Sequence, residues 1–436
     1  MVVYVINKNG KPLMPCSPRK ARKLLKIGKA KVVKKTPFTI KLLFGSGGDT
    51  QDLTLGIDTG SSKIGSAVAN NKNEIFYMSE VEVRNDISEK MKQRSKYRRN
   101  RRNRKTRYRK PRWSNRKNSV KKDRFSPTMI SKFNAHLREI NFIKSILPIT
   151  KITLETASFD PHALKNPEVL KNKWLYQRGV NYGFANTKAY VLCRDSYICQ
   201  QCKGKSKDRK LEVHHIIYRC NNGSDEPENL LVLCKTCHDK THKGLIKLKS
   251  GKKKGQLKHA TQMNSIRVQL LKELDCEETF GFITKEHRQL LNLPKEHYID
   301  ATIIASQGDN VNFKTNKILS KKCIPDGDYQ QTKGIRSQQK IPTGKIHGFR
   351  KFDKVQYLGE EYFIKGRMSA GYAILMNIEG EKIDFKNAPK GIKTPKLANC
   401  ERIGARKSWI IIEKKIGLQV AYIRYPKGIA VLHHIL

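Results

Sequence analysis

The stretch from Leu53 to Ala69, LTLGIDTGSSKIGSAVA, is an apolar strand that ends in Asp58, turns tightly through Gly60 and enters a second apolar strand. A carboxylate at the inner end of such a strand is costly to bury unless it is paired or holds a metal. Taken alone, the pattern also fits a hairpin with a capping aspartate. Two further acids stand in comparable settings. Glu155 ends the strand KITLETASF, and Asp300 in KEHYIDATIIAS precedes an apolar run, three residues after His297 on one helical face. Asp58, Glu155 and Asp300 together point to a shared metal centre, with His297 beside it as ligand or proton shuttle.

The 436 residues suffice for about three domains, and the formal charge of +51 demands a polyanionic partner. Nucleic acid is the leading candidate. A membrane surface fits poorly, because no apolar run approaches the roughly 20 residues of a spanning helix and the basic segments lack an apolar face. VVYVI at the start is too short for a signal peptide. Ten cysteines then indicate a reducing compartment, where clustered thiols hold metal.

Residues 90–124 hold 19 Lys or Arg among 35 positions and a single acid, Asp123. Free of glycine and unbroken by proline until Pro111, this run predicts a helix from Glu89 to Lys110, about 33 Å long and charged on every face. Such a helix needs phosphates around it. Arg94, Arg98, Arg99, Arg101, Arg102, Arg104, Arg107, Arg109 and Arg112 are its candidate phosphate contacts, and Tyr97, Tyr108 and Trp113 can stack on bases.

Elsewhere the pattern is more ordinary. Residues 1–50 predict a basic module of strand, turn, a helix from Ser17-Pro18 to about Ile27, and two strands, AKVV and FTIKLLF. The string Lys11-Pro12-Leu13-Met14-Pro15 carries no chemistry of its own. Ser126-Pro127 opens an amphipathic helix with Ile130, Phe133, Leu137, Ile140 and Leu147 as core residues. From about residue 313, short segments such as KVQYLG, EEYFIKG, GYAILMNI, EKIDF and SWIIIEKK predict one or two small barrels or sandwiches.

The most specific local pattern lies in residues 193–243. Cys199 and Cys202 pair with Cys234 and Cys237 as two CxxC units that would clamp a structural Zn2+ beneath two strands and a helix. His214 and His215 are adjacent on a strand and so face opposite sides. One imidazole can hold a metal with His238 while the other addresses a water. Asn229 suits a hydrogen-bonding role that fixes the loop, and His242 reads as a surface residue in preference to a further ligand.

KPLMP, GIDTGSSKIG, the arginine-rich run, LETASFD, the HNH-type module and HYIDA, in that order, resemble the IscB family of transposon-encoded RNA-guided nucleases, which are related to the type II CRISPR effectors. The resemblance implies an α/β multidomain fold. A split ribonuclease H-like (RuvC) domain would carry an inserted arginine-rich bridge helix and a ββα-metal HNH domain, with small β-rich domains at the C-terminus. The implied divisions are a PLMP domain at 1–50, RuvC parts at 51–84, 126–186 and 263–312, the bridge helix at 85–125, HNH at 187–245, a linker at 246–262 and a binding region at 313–436. Asp58, Glu155, His297 and Asp300 would form the RuvC site; His214, His215, Asn229 and His238 would form the HNH site, with His215 as general base. Thr59 stands where many relatives have proline, and His214 and His238 stand where the CRISPR effectors have Asp and Asn.

The implied activity is RNA-guided cleavage of double-stranded DNA, HNH on the guide-paired strand and RuvC on the displaced one, with catalytic Mg2+ at both sites. The implied partners are one structured guide RNA (omega RNA) per protein chain and a DNA target with a short adjacent motif. The implied location is the nucleoid of a prokaryotic cytoplasm. The alternatives are a protein-only HNH nuclease of restriction or homing type, which leaves the arginine-rich run without a role, and a non-enzymatic RNA-binding protein, which leaves the paired histidines idle.

Overall fold

The structure, a computed structural model, is a mixed α/β multidomain protein. It describes residues 2–45, 47–48, 50–103, 125–221, 223–248, 257–308, 310–325, 344–385, 394–416 and 422–423. Two compact units emerge, Met1–Ser158 with Gln262–Leu436, and Phe159–Thr261.

The first unit opens with β1 (Val3–Ile6), β2 (Pro12–Cys16), β3 (Ala30–Lys34) and β4 (Thr39–Leu42) in the order β2-β1-β4-β3. Between β2 and β3, the helix Pro18–Lys26 starts where Ser17 Oγ accepts from the Lys20 amide, and Pro18 occupies a first-turn position that needs no donor. KPLMP, silent in the sequence, supplies most of β2. Proline lacks an N–H, and an edge strand tolerates that loss.

A second sheet is the frame of this unit. β5 (Leu53–Asp58), β6 (Lys63–Asn70) and β7 (Glu74–Glu82) form an antiparallel meander, and β8 (Lys151–Thr156) returns parallel to β5. In the second unit, β9 (Leu211–His215) and β10 (Leu230–Cys234) make an antiparallel pair. Back in the first unit, β11 (Glu277–Phe280) lies parallel to β8, giving the order β11-β8-β5-β6-β7. Beyond β7, β12 (Val311–Phe313) and β13 (Lys317–Cys323) each pair parallel with part of it. A separate antiparallel sheet of β14 (Lys354–Tyr357), β15 (Glu360–Arg367), β16 (Ala373–Met376) and β17 (Glu401–Gly404) follows, in the order β16-β15-β14-β17. β18 (Trp409–Lys415) then pairs with β13, and β19 (Tyr422–Ile423) with β12.

Side-chain alternation divides the sheet into two faces. Leu53, Leu55, Ile57, Ile64 and Val68 pack against Ala135, Ile140 and Ile143 of the helix Pro127–Lys144 and against Met263, Ile266 and Leu270 of the helix Lys258–Glu273. On the other face, Ala67, Ala69 and Met78 meet Ile299, Ala301, Ile303 and Ala305 of the helix His297–Ala305. That helix lies so close that a Cβ on Gly56 would come within 2.4 Å of the Ala301 carbonyl, and one on Gly65 within 1.9 Å of the His297 carbonyl.

Several expectations change. The C-terminal segment does not form only independent barrels or sandwiches: β13 and β18 extend the large sheet across the expected division at residue 312, and among the described residues of that segment only β14–β17 form a separate sheet. EKIDF contributes an isolated bridge between Met376 and Lys382 in place of a strand. Short glycine-bounded segments encode a strand but not its partner. Ile130 is 43% exposed, whereas Lys132, His136 and Glu139 on the same helix are buried. Residues 159–186, expected with the second RuvC part, belong to the second unit, where Lys165 Nζ lies 2.7 Å from Glu226 Oε1. The basic helix is present as Ile87–Asn103; Arg104, Arg107, Arg109 and Arg112 lie outside the described residues.

Gly65→Ala is expected to unseat the His297–Ala305 helix at a cost of about 3 kcal/mol or more in a denaturant titration. Gly45→Ala, with nothing within 4 Å of its Cβ, should change little, and equal effects of the two would contradict this packing.

Candidate metal centres

Asp58 and Glu155 are register partners at the ends of the parallel neighbours β5 and β8, so their side chains leave the same face of the sheet. Thr59, the departure noted from the sequence, ties the two strand ends together by donating from Oγ1 to the Glu155 carbonyl at 2.7 Å. The close-seated helix brings its first residue onto that face, with His297 Nδ1 2.6 Å from Asp58 Oδ2. Asp300, one turn further on, accepts from Arg288 Nη1 at 2.5 Å, and Arg288 belongs to the helix Gly281–Leu290. All four residues inferred from the sequence for this site therefore lie around one sheet end.

The cluster concentrates negative charge in a buried setting. Burial pushes the Glu155 carboxyl up to about 7, reinforced by the negative charges of Asp58 and Asp300 and opposed by a hydrogen bond from Thr284. Its Oε2 is buried without a hydrogen-bond partner. Burial also raises Asp300, against the pull of Arg288, while its hydrogen bond to Asp58 raises His297. Crowded carboxylates with an orphaned buried oxygen fit a divalent cation, which would relieve both the repulsion and the missing contact. Sequence reasoning missed Arg288 and Thr284, which read as ordinary positions of an amphipathic helix.

The second unit carries two further donor clusters. The sulfurs of Cys199, Cys202, Cys234 and Cys237 all lie within 4.8 Å of one another, an arrangement that could hold zinc. Hydrogen bonding from Ser206 draws the Cys202 thiol down to about 6, while burial and the neighbouring thiols push Cys237 up. Four thiols competing for negative charge in this way fit a soft cation.

Above them, β9 places His214 and His215 on opposite sides, and the helix Lys235–His242 carries His238 and His242 at one-turn spacing. His214, His238 and His242 bring one ring nitrogen each to within 4.8 Å of the others. His242 is exposed, as expected of a surface residue, and is also part of the cluster, because the helix presents it one turn beyond His238, on the same side. Both His214 ring nitrogens are buried and unpartnered, and burial with the adjacent imidazoles holds its pKa down to about 4. A His214 ring held neutral, with both nitrogens unpartnered, fits a metal ion.

His215 points away from this trio, and its Nε2 lies 2.7 Å from Asp225 Oδ1. Asp225 also accepts from Arg219 Nε at 2.7 Å; neither partner was evident in the sequence. Asn229 does the structural work expected of it. Its Oδ1 accepts from the Ile217 amide at 2.8 Å, and its Nδ2 donates to the carbonyls of Ile217 and Ser224, which closes the loop between β9 and β10.

A family model described as RRXRR protein matches residues 3–179, and one described as HNH endonuclease matches residues 199–244. Anaredoxin of Nostoc sp. (strain PCC 7120 / SAG 25.82 / UTEX 2576) is 37% identical over 67 residues, 15% of this chain and 86% of its own. The type IV methyl-directed restriction enzyme EcoKMcrA of Escherichia coli (strain K12) is 30% identical over 101 residues, 22% of this chain and 34% of its own. A Streptococcus thermophilus Cas9 in complex with the AGAA PAM aligns with 55% of this chain and 32% of its own, at 12% identity and a TM-score of 0.29. This chain therefore spans about a third of the restriction enzyme and of that Cas9. By class, it carries an HNH endonuclease module. An RRXRR segment ahead of that module fits an IscB-like nuclease.

Two outcomes follow from these geometries. Because the carboxyl of Glu155 sits near 4.5 in the unfolded chain and about 7 when folded, the metal-free protein should lose stability as pH rises through that window. Glu155→Gln should remove that loss, raising the melting temperature above pH 7 in chelator and leaving it unchanged near pH 4.5; pH-independent equality of the two proteins would contradict the assignment. Cys234→Ser should abolish zinc binding and expose the β9 and β10 amides to hydrogen exchange, with the central sheet still protected. Retention of zinc and protection would remove the metal from this module.

Proposed function

We propose that this protein is an RNA-guided double-stranded DNA endonuclease with two hydrolytic sites, one for each strand. The observation that carries the proposal is the pair of donor clusters of different chemistry on one chain, carboxylates in one unit and imidazoles in the other. The order β11-β8-β5-β6-β7, with three antiparallel strands followed by two parallel ones, supports reading the first unit as a split RuvC-type domain. The helix Ile87–Asn103 would begin the bridge helix, with Arg94, Arg98 and Arg99 exposed for phosphate contacts and Arg101 and Arg102 continuing the run. Residues 313–436 would contribute contacts to the guide RNA and to a short motif beside the target.

Mg2+ held by the carboxylates of Asp58, Glu155 and Asp300 in one site, and a divalent transition-metal ion held by the imidazoles of His214, His238 and His242 in the other, would supply the positive charge that stabilises a leaving oxygen. His297 would move a proton at the first site, its ring oriented by Asp58. In the second, a proton on His215 Nε2 shared with Asp225 leaves the Nδ1 lone pair to take the proton from an attacking water. Asn229 would hold the loop that sets this geometry. Among the described residues no helix is long and apolar enough to cross a membrane. A restriction-type enzyme working without RNA would need the HNH module alone and gives the carboxylate centre no role.

Asp58→Ala should leave only the guide-paired strand cut, and His215→Ala only the displaced strand, since no residue is shared between the sites. Strand-specific end labelling reads both. If either substitution abolishes both cuts in a folded protein that still opens its target, the two-site proposal fails.

A further inference from the structure

Of the 21 large hydrophobic residues exposed among the described residues, eight fall between Phe159 and Phe184, and five of those are aromatic. A chain that leaves Trp174 at 58% and Tyr182 at 61% exposure pays in hydration unless something covers them. The local geometry is built. Arg178 sits between two rings, its Cζ 5.7 Å from the centroid of Trp174 and 5.0 Å from that of Tyr182. The helical turn Lys173–Tyr176 presents Trp174, and a turn in which the Tyr182 amide donates to the Gly179 carbonyl at 2.9 Å folds Tyr182 back toward it. Lys171 and Lys173, both exposed, stand three residues and one residue before Trp174 in the chain.

We propose that Trp174, Arg178 and Tyr182 form a stacking platform for a single-stranded nucleic acid segment, its bases on the outer ring faces and its phosphates on Lys171 and Lys173. The chemistry selects this occupant. Aromatic rings joined by a guanidinium and edged with lysines suit bases and phosphates together, whereas a protein surface covering the patch would have to bury unpaired cations. Duplex bases are closed to such stacking, so the platform selects unpaired strand. It precedes the HNH module within the same compact unit, and so would hold a strand whose bases have been freed near the site of cleavage. The inference rests on the nucleic-acid partner proposed above and adds where, and in what state, one strand is held.

The test is ultraviolet cross-linking of the full chain, freed of bound nucleic acid in high salt, to DNA and RNA oligonucleotides carrying 5-iodouracil, with cross-linked peptides mapped by mass spectrometry. Single strands should cross-link to Trp174 or Tyr182, a duplex of the same sequence should not, and the DNA and RNA arms show which strand is preferred. Trp174→Leu with Tyr182→Leu should remove those cross-links and leave others in place. Cross-links elsewhere but none on these residues would overturn the platform, as would equal labelling by duplex. Absence of any cross-link on the chain would overturn the proposed nucleic-acid function itself.

Discussion

Backbone-to-sheet contact by the helix His297–Ala305 is the constraint on which the first unit depends. Gly56 and Gly65 leave no side chain between the helix and β5 and β6, and only that closeness lets His297 reach Asp58, 239 positions earlier in the chain. The same seating brings Asp300 to the end of β5, beside Arg288. A fold that joined these segments at ordinary helix-to-sheet separation would still bury its apolar residues, but His297 would not reach Asp58. Packing distance here decides chemistry.

The opposite face of the sheet is held by a polar cluster that the apolar pattern does not announce. Lys321 on β13 is fully buried, and its Nζ donates to Glu139 Oε2 at 2.7 Å and to the Tyr77 hydroxyl at 2.7 Å. Its ammonium also lies 3.9 Å from the Phe142 ring centroid and 4.8 Å from that of Trp409. Burial lowers its pKa to about 8, against the attraction of Glu139. Removing one member of such a pair typically costs about 3 to 5 kcal/mol, because the other charge is left buried alone. The cluster joins a long helix, the meander and two late strands, and so ties the C-terminal strands β13 and β18 into the central sheet.

The second unit follows a different logic. Its hairpin and helix are short, and the apolar residues packed around the cysteines are few. In modules of that kind metal coordination does much of what a larger core does elsewhere. The four thiols sit at its base, and the imidazole cluster takes its shape from β9 and one turn of helix. Because adjacent strand residues diverge, His214 meets the imidazoles of His238 and His242 while His215 meets Asp225.

What the sequence by itself determined is local. Strand ends at Asp58 and Glu155, the helical spacing of His297 and Asp300, the two CxxC units and the strand pair of histidines depend on periodicities of two and of about four residues, and these survive without knowledge of neighbours. Tertiary structure decided whatever needs a partner from a distant segment. β13 and β18 read as pieces of a small barrel until Lys321 finds Glu139. Lys132, His136 and Glu139 look like the wet face of their helix, and Ile130 like part of its core, until that helix is laid on the sheet. His242 becomes a possible ligand only when β9 sets His214 against it, and Arg288 acquires a role only when Asp300 arrives. A side chain's type and spacing are written in the chain, but its burial and its counter-charge belong to the neighbours that folding supplies.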